Sequence, residues 1–205
     1  MPNTVPYEVI AASPIALYTA AVGATFPTLD ADPNPAVWTK IGLSGDLNYD
    51  DGAGVSIEHP QTLSPWRSLG DSGSRKIFRQ DEDCKIKVKV VDLRLETYSL
   101  AINGNSVTTV AAGMGTAGYK KIGLSRGLSV ATNALLIRML VSPYGAEWIG
   151  QYEFPRAAQS GSPTVVYLKK DPVGLELEWM SLVDPNQSPS EYFGRLIFQT
   201  ADADT

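Results

Sequence analysis

Apolar and polar residues alternate with a period of two through much of this chain. In KIKVKV, Lys85, Lys87 and Lys89 alternate with Ile86, Val88 and Val90, which predicts a strand with one buried and one cationic face. EWIGQYEF places Trp148, Tyr152 and Phe154 opposite Glu147, Gln151 and Glu153. VGLELEWMSLV likewise sets Leu175, Leu177 and Trp179 against Glu176 and Glu178. Short strands are also predicted in VWTKIGL, VSIEH, VTTVAA, YKKIGLS, NALLIRMLV, TVVYLKK and FGRLIFQT, and in the apolar stretches 5–12 and 15–22. Turn sequences (SPYG, SGSP, Asp-Pro, Asp-Pro-Asn) punctuate them. ATFPTLDADPNPAV, with three prolines, reads as a loop.

Two stretches break the alternation. Residues 92–103 predict a helix, with Asp92 as N-cap and Asn103-Gly104 as its stop. At about 100° per residue, Val91, Leu95, Tyr98 and Ile102 share one stripe and Leu93 and Leu100 the opposite side. A helix apolar on two sides contacts two things: its own sheet, and either a loop of the same chain or a partner. The second stretch, about 57–80, is a polar arm between two strands, far longer than ordinary hairpin loops. Long ordered loops tend to carry function. The pattern predicts a mainly β chain: a two-sheet β-sandwich with one flanking helix and this inter-strand arm. One domain is expected over 1–205, with 201–205 a frayed acidic tail.

Composition narrows the function. A net charge of −5 argues against a protein that grips nucleic-acid phosphates. Cys84 is the only cysteine, so neither an intramolecular disulfide nor a cysteine zinc site is available. No apolar run reaches the roughly 18 residues of a membrane span, and the N-terminus lacks the pattern of a secretory signal, so a soluble protein is expected.

The chemical motifs fail on context. GMGTAG (113–118) fits a dinucleotide fingerprint, but no helical pattern follows it, and no Asp or Glu occurs between Thr97 and Ala146. GLSRG (123–127) fits a nucleophile elbow around Ser125, but His59, the only histidine, precedes it in the chain. DLNYDDGAG aligns Asp46, Asn48 and Asp50 like a calcium loop, but Asp51 stands where glycine is needed. No catalytic, cofactor or metal site is expected, which points to a structural or binding role.

The run GVSIEH…WRSLGDSGSRKIFRQDEDCKIKVKVVDLRLETYSLAING resembles the major tail tube protein of long-tailed, non-contractile bacteriophages. YKKIGLSRG, the SPYG and SGSP turns, VVYLKKD, LELEW followed by Asp-Pro-Asn, and FGRLIFQ extend the likeness over most of residues 1–200. The resemblance implies a virion subunit, made in the host cytoplasm, that forms hexameric rings stacked into a hollow tube. Its partners would be other copies of itself, the tape-measure, terminator and distal tail proteins, and genome DNA passing through without specific binding. The arm would then join subunits through Trp66, Leu69 and Phe78 as apolar anchors, with Arg67, Arg75, Lys76 and Arg79 setting register. Leu93 and Leu100 would pack there too. Glu147, Glu153, Glu176 and Glu178 are candidates for an acidic lumen that repels DNA. The alternatives are a tube subunit of a contractile tail or type VI-like injection system, and a receptor- or carbohydrate-binding β-sandwich.

Overall fold

The computed structural model describes residues 15–42, 48–144, 148–167, 169–170 and 173–202. The elements in chain order begin with β1 (Ile15–Ala21), β2 (Thr39–Lys40), β3 (Val55–Glu58), β4 (Gln61–Trp66), β5 (Lys76–Glu82), β6 (Lys85–Val90) and α1 (Leu95–Ala101). They continue with β7 (Val107–Val110), β8 (Tyr119–Ile122), β9 (Thr132–Met139), β10 (Gly150–Gln159), β11 (Val165–Val166), β12 (Gly174–Ser181) and β13 (Arg195–Phe198). The chain is mainly β, with one α-helix among the described residues. The stretch 5–12 lies outside the described residues, as do Asp46, Glu147 and 203–205.

In place of the expected pair of packed sheets, nine strands form one hydrogen-bonded sheet, ordered β2-β1-β9-β10-β12-β6-β3, with β11 on β12 and β13 on β10, while β4-β5 and β7-β8 each form a separate two-stranded sheet. β10 explains the difference. One side of it pairs with β9, while the other pairs first with β13 (Gly150 to Glu153) and then with β12 (Ala157 to Gln159). Its register against β9 shifts between Phe154 and Ala157, and a bulge of this kind bends a strand. The sheet curls about that bend. Leu17, Val88, Leu135, Phe154, Leu177 and Trp179, drawn from both ends of the strand order, meet in one apolar cluster. Tyr49 ties the curl together: it bridges to Val90, and its hydroxyl accepts from Leu17 N (3.0 Å) and donates to Ile41 O (2.8 Å). Each large side chain buried there contributes about 1.5–3 kcal/mol.

The opposite face of β1 and β9 is covered as well. Ala20, Ala134 and Leu136 pack with Trp38, and the Phe26 ring lies tilted at 37° against the Trp38 ring, centroids 5.1 Å apart. The proline-rich loop therefore acts as a lid over the sheet's back. Trp38 Nε1 donates to Thr25 O, and the Arg138 guanidinium donates to the carbonyls of Thr28 and Ala31.

The helix is shorter than the 92–103 expected. Arg94, rather than Asp92, occupies the N-cap position and makes no side-chain cap bond, since a guanidinium has no acceptor; its Nε donates to the Asp92 carboxylate (3.2 Å). The stop is as anticipated. Asn103 and Gly104 take left-handed φ of 71° and 74°, and Gly104 N returns to Ser99 O (2.8 Å).

Candidate assembly surfaces

The arm is not an irregular loop but a two-stranded ribbon. β3 and β6 pair Glu58 with Lys85, and the ladder resumes in the same register with Gln61 opposite Glu82. Between them, Asp83 N donates to Pro60 O (3.0 Å). Residues 55–90 thus form one long hairpin that runs out of the sheet. Six residues of β4 at about 3.3 Å each make its outer part about 20 Å long. A shift between Thr62 and Leu63 leaves one extra residue on β5, after which Leu63 faces Arg79 and Trp66 faces Lys76.

Little of this ribbon is sheltered. Every residue of β5 is exposed, and β4 has only Ser64 half-buried. Trp66 is 51% exposed, Phe78 55%, Ile77 61%, and Leu69 at the tip fully so. The anchors expected from sequence, Trp66, Leu69 and Phe78, are therefore together on one projecting element. Leu63 and Ile77 belong with them and were missed, because a paired strand was not foreseen on either side of the Gly-Ser turn. The basic residues hold the ribbon's shape. Arg75 pairs with Asp71 (2.7 Å), Arg79 with Glu82 (2.7 Å) and Gln61, and Arg67 donates to Ser74 (3.2 Å). The Arg75 guanidinium draws the Asp71 carboxyl below its usual range. Lys76 stands exposed beside Trp66 and Phe78.

The cationic strand resolves differently. Lys85, Lys87 and Lys89 meet Glu178 (3.9 Å), Glu58 (2.9 Å) and Asp50 (2.9 Å) respectively. Glu58 beside it raises the Lys87 pKa. The outer face of β6 and β12 is consequently a mixed-charge ladder, bordering an open groove of about 280 Å³ with Gly54, Pro163 and Glu176 on its walls. Glu176 and Glu178 do lie on this surface, but three lysines share it, so the expected acidic face becomes a nearly balanced one.

Glu153 is a clear correction. It is 2% exposed, accepting from Gln151 Nε2 and from Arg195 Nε (2.6 Å). Gln151 in turn accepts from Arg138 and donates to Pro27 O. Burial lowers the Arg138 pKa. This row of polar side chains across β9, β10 and β13 is bonded together beneath the proline-rich lid, with only Arg138 Nε in it left without a partner, so Glu153 cannot face a channel. Leu93 and Leu100 are both half-buried against the chain's own core, with Tyr98, so of the two covers expected for the second helix side the chain itself supplies at least part.

The motifs set aside on context lie in turns and connections. Gly113–118 forms the tight end of the β7–β8 hairpin, with Gly113 and Thr116 bonded to each other. Ser125 lies in a connection between strands, where its carbonyl accepts from Asn105. Asp50 closes a turn, accepting from Ala53 N. Cys84 is buried, and burial pushes its thiol up to about 11, far from a nucleophile's range. Among the described residues no group of His, Cys, Asp and Glu could hold a metal, and no helix is long and apolar enough to cross a membrane.

No family model matches the chain, and no curated protein matches it.

Proposed function

We propose that this chain is a self-assembling tail tube subunit of a long-tailed, non-contractile bacteriophage, forming stacked hexameric rings through which genome DNA leaves the capsid. The observation that carries this reading is the apolar, basic ribbon that leaves the sheet with its large side chains in solvent. An isolated two-stranded hairpin is marginal in water, and contiguous exposed apolar surface marks an interaction site. The ribbon lies within the ordered series of motifs, from GVSIEH through FGRLIFQ, by which the sequence resembles tail tube proteins. The curled β sheet with one helix on its flank fits a tail-tube fold. In the virion the subunit would meet the tape-measure, terminator and distal tail proteins as well as its own copies.

The test is electron microscopy of the purified protein beside a deletion of Pro65 to Ser74. The parent is expected to form hollow tubes of uniform width, and the deletion to stay folded and unpolymerised. Tubes of ordinary length from the deletion would refute the connector role. A parent that binds glycans and stays monomeric at every concentration would favour the receptor-binding alternative.

A further inference from the structure

Asn103 is the only residue other than glycine with a left-handed φ among the described residues, and it begins the chain's one Asn-Gly pair. Its side chain does more than end the helix. The amide nitrogen donates to the carbonyls of Arg126 and Ser129 (2.8 Å each), and the amide oxygen accepts from Ala131 N (2.5 Å). Asn105 donates in the same way to the carbonyls of Gly123 and Ser125 (2.7 and 2.8 Å), and Arg126 donates back to Ala101 O (3.2 Å). The connection from Gly123 to Ala131 is thus fastened to the end of α1 largely by the two asparagines of an Asn-Gly-Asn sequence. It depends on such fastening, because it forms no strand and carries Leu124, Leu128 and Val130 in solvent.

Asparagine followed by glycine has a chemistry of its own. Glycine has no Cβ, so its backbone nitrogen reaches the preceding side chain without hindrance. The Gly104 nitrogen can attack Cγ of Asn103: the N–Cγ bond forms, the Cγ–Nδ2 bond breaks, and ammonia leaves with the Gly104 proton. Water then opens the cyclic imide at either carbonyl, giving aspartate or its isopeptide-linked isomer. Gly104 is exposed and its α-carbon faces open space, so water has access to the site. In the folded chain the attack is blocked. Four hydrogen bonds must first break, the three of the Asn103 amide and the one from Gly104 N to Ser99 O (2.8 Å). We infer that Asn103–Gly104 is a deamidation site gated by the end of α1, closed while the helix end is intact and open when it frays, and that its product unfastens the 123–131 connection. A carboxylate still accepts from Ala131 N, but it has no donor for the Arg126 and Ser129 carbonyls and repels both. The chain thereby records how long its helix end has stood open, whatever it assembles into.

The full-length protein is incubated at mildly alkaline pH, native and in urea, and its peptides are followed by mass spectrometry for aspartate and isoaspartate. Conversion at Asn103 should be at least about tenfold faster in urea than in the native chain. Equal rates would overturn the gate, and faster conversion at Asn105 or Asn186 in urea would overturn the site. G104A, compared in urea where the fold plays no part, should slow conversion at Asn103 several-fold; an unchanged rate overturns the attack by Gly104. N103D tests the consequence. Trypsin should cut after the exposed Arg126 at least about fivefold faster in N103D than in the parent. Cutting after the buried Arg138 should keep its parental rate. An unchanged rate at Arg126 overturns the unfastening, and so does a matching rise at Arg138, which would make the loss global.

Discussion

β5 and β6 begin alike, KIFR against KIKV, and end in opposite environments. In β6 every second residue is apolar, so Ile86, Val88 and Val90 enter the core together and the lysines between them meet carboxylates of the same chain. In β5, Ile77 and Phe78 are adjacent, so they point to opposite faces, and no single surface could bury both. Strict alternation marks a strand that completes its own domain. Adjacent apolar residues in a short strand, flanked by charge, leave apolar side chains exposed on both of its faces.

The largest expected contrast is between two tryptophans. Trp179→Ala, in the core, should lower unfolding stability by about 3–5 kcal/mol in urea titrations, while Trp66→Ala leaves the urea midpoint unchanged and impairs assembly. A large loss from the arm variant would show that the ribbon supports the sheet. A smaller effect is expected at the buried polar row. Arg195→Met removes a charged donor from Glu153 and should cost about 1–3 kcal/mol, and restoring charge neutrality with Glu153→Gln in the same chain should recover part of it. No recovery would mean that Arg195 acts through packing alone. The smallest effect concerns pH. The Asp71 carboxyl is held low by Arg75, so its contribution to the arm's tip is full above about pH 4 and fades as pH falls through its depressed value. The amide of Gly73, which donates to the Asp71 carboxylate, should lose its bonded NMR shift only in that acid range. A transition nearer neutrality would show that another group governs the tip.

Much of the sheet could be read from residue order, because alternation is local. Leu175, Leu177 and Trp179 face inward as their spacing predicts, and Asn103-Gly104 stops the helix. What could not be read depended on distant cover. Glu153 alternates like a surface residue, but its lid comes from residues 24–38 and its counterion from Arg195. Leu93 and Leu100 form a second helical stripe on paper, yet the core reaches them because the sheet curls. The curl itself depends on a register shift within β10, which no residue pattern announces. The arm's existence was legible from its length, but its pairing was hidden by Pro65 and by the extra residue near Gln80. The lysines of β6 read as a cationic face until Glu58 and Asp50 were seen beside them.

The continuous register from β3 and β6 into the arm has a mechanical consequence. A pull on the arm's tip loads both strands along their length and in the same direction, so the bonds between β3 and β6 carry almost none of it. The load passes sideways into β12 through six consecutive residue pairs, from Leu175–Val90 to Met180–Lys85. Those bonds are strained together, in shear, rather than opened one after another like a zip. The ribbon is thus anchored as a tether would be, with its grip spread along a strand in the middle of the sheet.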